Sequence, residues 1–118
     1  MQMAALTKKD LVLIPRLAVA TAFWVRFMGL MGKKAIGTDE GIFFPHCNSV
    51  HTFFMRFPID VIYLSQSGEV LRVYESVSPW RLLLPAKRVK HVLEIQANRA
   101  KALGIQLGDC LAWGGNLS

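Results

Sequence analysis

Residues 59–64 read Ile-Asp-Val-Ile-Tyr-Leu, a run dominated by β-branched and aromatic side chains, and four turn-forming residues follow at once. Ile59 to Leu64 reads as a strand, Ser65-Gln66-Ser67-Gly68 as a hairpin turn, and Glu69 to Val77 as the returning strand. An isolated hairpin is marginal in water, so the rest of the chain must supply further strands or a helix to cover it. The run also holds an acid, Asp60, between Ile59 and Val61. An ionised carboxylate in such surroundings needs a partner, which His51, Arg56, Arg81 or backbone amides could supply.

The flanking sequence fits a single α+β domain, mainly β, over residues 1–118. Leu11 to Ala20 carries a proline and suits a first, edge-type strand. From Ala20 the period changes: Ala20, Phe23, Trp24, Phe27, Leu30 and Met31 recur at helical spacing, and Gly32-Lys33-Lys34 closes that helix. Ile42-Phe43-Phe44 reads as a short buried strand ended by Pro45. Ser49 to Met55 alternates as another, with Val50, Thr52 and Phe54 on one side. Ser78-Pro79-Trp80-Arg81 opens an irregular connection, and Val89 to Ile95 is a further strand. Gln96 to Leu103 is a short helix closed by Gly104, and Gly108-Asp109 turns into a last strand, Cys110 to Trp113. A small, partly closed β-barrel with one helix in the N-terminal half and one short C-terminal helix would protect the sheet edges.

Composition bounds the function classes. The chain has 118 residues, 53% of them hydrophobic and 19% charged, enough for one core without metal or disulfide staples. The net charge of +6 comes from scattered short basic pairs, with no long tract and no interleaved aromatics, which disfavours nucleic-acid binding. Pro15 and Arg16 break the apolar run after Lys8-Lys9 before it reaches signal-peptide length, and no run of about 18 apolar residues would span a bilayer. Two distant cysteines, Cys47 and Cys110, are expected as free thiols in a cytoplasmic protein.

Several motifs together resemble the uncharacterised DUF192 family. They are Gly29-Leu30-Met31-Gly32, the run Val50-His51-Thr52-Phe53-Phe54-Met55-Arg56-Phe57-Pro58-Ile59-Asp60-Val61, then Pro79-Trp80-Arg81, Val92-Leu93-Glu94-Ile95 and Gly104-Ile105-Gln106-Leu107-Gly108-Asp109. The resemblance covers about Ala20 to Trp113 and implies a compact β-rich domain without an established activity. Two departures stand out: Ser65 replaces an acid found in many relatives, and Asn98 replaces a glycine. Asparagine is the next-best residue for a left-handed backbone, so the second change need not disturb the turn.

Three kinds of chemistry are open to these residues. A binding or accessory module would line a polar pocket with His51, Thr52, Met55, Arg56, Asp60, Trp80, Arg81 and Glu94, and would take a small ligand or a partner's peptide. A small hydrolase or transferase would use Cys47 as nucleophile and His51 as base. A zinc or copper site would start from His46, Cys47 and His51, with His91, Asp60 or water as fourth ligand. No Cys-x-x-Cys pair supports the metal and no complete catalytic constellation supports the enzyme, so no cofactor is expected and the binding module ranks first. Asp109, following Gly108, is expected to be a turn acid that hydrogen-bonds its own backbone.

Overall fold

The computed structural model describes residues 2–20 and 34–114. Its main element is a seven-stranded sheet in the order β6-β5-β8-β3-β2-β1-β9. In sequence these are β1 (Gln2–Lys8), β2 (Leu11–Val19), β3 (Glu40–Pro45), β5 (Ile59–Leu64), β6 (Val70–Val77), β8 (His91–Gln96) and β9 (Ala112–Gly114). A second, two-stranded sheet joins β4 (Val50–His51) to β7 (Leu82–Leu83). The one described helix, α1, spans Arg99–Ala102.

The hairpin expected around residues 59–77 is present, with Ser65-Gln66-Ser67-Gly68 between β5 and β6 and Gly68 at φ +98°. Every residue of β5 is buried, because β5 is flanked by β6 and β8 and covered on both faces. The alternation of side chains then sorts the apolar residues into two cores. Ile62, Leu64, Phe43, Leu93 and Ile95 pack on one face, with Leu6, Ile14 and Leu17. Val61, Tyr63, Ile42, Phe44 and Val92 pack on the other, with Met55 and Ile59.

The N-terminal region departs from expectation. Leu11–Val19 is an interior strand, not an edge, because β1 precedes it and pairs with it through the two-residue turn Lys9-Asp10. Both turn residues have positive φ, 48° and 66°, the twist that a tight hairpin requires. Pro15 is tolerated because the register slips there: Ala4 faces Leu17 and Leu6 faces Ile14, so Pro15 and Arg16 bulge opposite Ala5. The parallel pairing of β2 with β3 begins only at Arg16, so the missing N–H of Pro15 interrupts neither ladder.

The sheet is not closed into a barrel. Strands β6 and β9 are its edges, and no ladder joins them: an isolated bridge between Glu69 and Cys110 and backbone bonds from Gly68 and Val70 to residues 108–111 link only the approaches to the two strands among the described residues. The expected helix beyond Ala20 lies outside the described residues, while the C-terminal helix is present but is only four residues long. Asn98, ahead of that helix, takes the left-handed conformation at φ 69°, as its residue type allows, and Gly104 ends the turn at φ 70°. The expected strand over residues 49–55 shrinks to two residues. Thr52 leaves the strand path because its backbone and hydroxyl bond to residues 78–81 instead. No described helix is long and apolar enough to cross a membrane.

Candidate functional site

Asp60 is fully buried, and its carboxylate is held by backbone N–H groups. Ser76 and Asn98 donate to Oδ1 at 2.8 and 2.9 Å, and Ala100 donates to Oδ2 at 2.9 Å. The Ser76 contact has a local cause: β6 carries an extra residue between the pairs Ile59–Val77 and Val61–Tyr74. Ser76 sits in that bulge at φ 49° and turns its N–H toward the acid. The other two donors belong to the start of α1, whose first N–H groups lack partners within the helix. Asp60 thus caps α1 from a distant strand and ties β5, β6 and α1 together. Among the described residues no His, Lys or Arg forms an ion pair with it.

Thr52 is equally buried and equally committed. Its hydroxyl donates to the Ser78 carbonyl at 2.7 Å and accepts the Arg81 N–H at 2.9 Å. Its own N–H donates to the Arg81 carbonyl, and its carbonyl accepts from Trp80 and Met55. The Pro79-Trp80-Arg81 segment is therefore pinned to the end of β4. Met55 contributes to the core below.

Glu94 is the unusual acid. It lies on β8 opposite Ile42 and Val61, and burial pushes its carboxyl up to about 8. It is 4% exposed. Because Asp60 pairs with Ile95 while Val61 pairs with Glu94, the two acids face opposite sides of the sheet. A single pocket holding both is excluded by the sheet between them.

The histidines and Cys47 are engaged separately. His51 is exposed, and its Nδ1 accepts the Phe53 N–H at 3.2 Å. Cys47 donates its thiol to the Ser49 carbonyl at 3.0 Å. His91 accepts the His46 N–H on Nδ1 and lies 3.4 Å from the Gln66 carbonyl through Nε2, so Nε2 carries the proton. Burial holds His91 below the ordinary imidazole range, which keeps it neutral beside Phe43 and Trp113. Among the described residues no three metal-ligating side chains gather. Tyr63, inside the second core, donates to the Leu84 carbonyl, and burial pushes its hydroxyl up to about 12. Asp109 accepts the Gln106 N–H as a turn acid should, and pairs with Lys8 of β1 at 2.9 Å. That hydrogen bond from Lys8 is the main reason its carboxyl lies below the ordinary range.

Of the residues named from sequence, Thr52, Met55, Asp60 and Glu94 are buried, whereas His51, Arg56, Trp80 and Arg81 are exposed. Two of the exposed members, His51 and Trp80, meet two aromatic residues not named among the site candidates, Phe53 and Phe54. His51 stacks on Phe53 at 4.9 Å, Phe53 on Trp80 at 5.8 Å, and Phe54 meets Trp80 edge-on at 4.8 Å. Phe54 is 63% and Trp80 60% exposed. Both have positive φ, 66° and 67°, which is costly for a bulky residue. The adjacency of Phe53 and Phe54 was the available signal, since neighbouring side chains on a strand cannot both face one core.

Known proteins resemble the chain over most of its length. A UPF0127 protein of Pyrococcus furiosus is 38% identical over 101 residues, which cover 80% of this chain and 83% of that protein. A UPF0127 protein of Thermococcus sibiricus is 31% identical over 102 residues, covering 83% of this chain and 66% of the relative. The crystal structure of a protein of unknown function from Novosphingobium aromaticivorans superposes with a TM-score of 0.80 at 25% identity, covering 94% of this chain and 84% of its own. The DUF192 profile, described as Uncharacterized ACR, matches residues 4–113, and the chain belongs to that family.

Proposed function

We propose that this chain is a non-enzymatic binding module that docks a protein partner through His51, Phe53, Phe54 and Trp80, with Arg56 and Arg81 contributed by the same two segments. One observation carries this reading: two large aromatic side chains stand in solvent on backbone that is left-handed at both positions. Neither exposure nor strain helps this domain fold, so both are explained if a partner covers the surface. Tryptophan and arginine are also the residues over-represented where binding energy concentrates. Thr52 and Asp60 then serve as the framework that fixes the surface rather than as its contacts.

The test is a photo-crosslinking amino acid placed at position 54 in the native host, with position 107 as control, since Leu107 is equally exposed but remote in sequence. A discrete crosslinked protein is expected from position 54 and not from position 107, and Trp80→Ser should abolish it. Identical patterns from the two positions would refute the reading.

A further inference from the structure

We infer that the partner is engaged as an extended peptide strand carrying a carboxylate, laid along the free edge of β6 in the groove between β6 and β7. The inference rests on the binding-module reading and specifies what that module holds.

Strand β6 pairs with β5 alone, and β7 pairs with β4 alone, so among the described residues each keeps one open edge. A groove of about 430 Å³ lies between them, lined by residues 73–78 of the β6 side and by Arg81, Leu82 and Leu83. In an antiparallel pair, alternate residues turn their N–H and C=O away from the partner strand. The open stretch of β6 has defined limits. At its start Val70 bonds through both peptide groups to Gly108 and Asp109, and at its far end the Ser76 N–H is taken by Asp60. What remains is a short rail between those two points, ended by a bulge. That brevity, with Arg72 and Glu75 exposed along it, protects the edge from indiscriminate pairing. A helix laid in the groove would leave the rail's outward peptide groups unmet, whereas an extended strand satisfies them and sets one row of alternate side chains toward Tyr74 and Leu83 and the other toward the face that carries Val73.

The charge of the occupant follows from Arg81. Both of its peptide groups bond to Thr52, which fixes the residue at the groove. Its side chain is exposed and has no ion-pair partner among the described residues. Glu75, the acid of this groove, comes from the opposite strand. A carboxylate on the incoming strand therefore suits Arg81, and the chain's net charge of +6 favours its approach. Trp80 of the aromatic surface directly precedes Arg81 of the groove in the sequence.

The experiment is selection of a random heptapeptide phage library against the full chain, followed by nuclear magnetic resonance titration with the enriched peptides. Peptides rich in β-branched residues and containing Asp or Glu are expected, with amide shifts in residues 71–75 and 81–83. N-methylation of the alternate peptide nitrogens that face β6 should weaken binding about tenfold or more, and methylation of the other set should not. Arg81→Gln should cost about tenfold for the acidic peptide and nothing for its Gln-substituted form. Failure to enrich any peptide overturns the inference. So does binding that ignores N-methylation and shifts only Phe54 and Trp80, although that result would leave the aromatic docking surface standing. A chain without discrete crosslinks at position 54 loses the wider reading instead.

Discussion

A carboxylate that looks like half of an ion pair can be wholly committed to peptide groups, and Asp60 shows the difference this makes. Its acid character and its burial were both visible in the Ile59-Asp60-Val61 context. Its partners were not, because Ser76, Asn98 and Ala100 lie 16, 38 and 40 residues away and donate through backbone that any residue type supplies. Asp60→Ala would strand three backbone donors, that of Ala100 buried and the other two partly buried, and is expected to lower stability by about 3–5 kcal/mol in urea unfolding. Asp60→Asn keeps the shape but turns an N–H₂ toward a donor, and should fall between the two. Glu94 is the opposite case, an acid raised by burial alone to about 8. Its folded form holds a proton that the unfolded chain releases near 4.5, so its contribution to stability declines as pH rises from about 4.5 and levels off above about 8. His91, lowered by burial, acts in reverse, losing stability as pH falls below its ordinary 6.5. The difference between native chain and Glu94→Gln isolates the acid: the variant's thermal midpoint should lose the decline between pH 5 and 8.

At the scale of elements, the two signature segments meet through Thr52, not through a shared polar cavity. Thr52→Val preserves the shape while removing the hydroxyl that bonds Ser78 and Arg81. It should cost about 1–3 kcal/mol and release the 78–81 segment, seen as faster amide exchange at Trp80 and Arg81. The elements legible in sequence were those whose signals are local: the β5–β6 hairpin with its turn residues, the buried run 42–44 before Pro45, and the Gly104 stop. Strand β1 was not legible, because Lys9-Asp10 is a rare sequence for a turn that needs two positive φ values. Strand β7 is two residues long and exists only through its pairing with β4. The alternation of residues 49–55 pointed to a strand, yet a hydroxyl able to bond a distant loop diverted the chain after His51.

For the whole molecule, the bridge between Glu69 and Cys110 joins the turn region of the hairpin to the approach of the last strand. Leu111 donates to the Gly68 carbonyl at 2.9 Å, and a Cβ on Gly68 would collide with the Leu111 carbonyl while its φ of +98° disfavours any side chain. Gly68→Ala is therefore expected to cost about 1–3 kcal/mol or more, with the loss of protection appearing at residues 108–111 as well as in the hairpin. The order of the strands carries a further consequence. Strand β1 is covered on one side by β2 and on the other only by β9, through Ala5–Gly114, Leu6–Trp113 and Thr7–Ala112. During synthesis the β1–β2 hairpin is made before either neighbour: β3 follows about twenty residues later, but more than ninety residues must be translated before β9 arrives to cover β1. Until then the nascent chain presents an adhesive ribbon, so a chaperone that shields β1 co-translationally would raise the yield of native protein more than one acting after release.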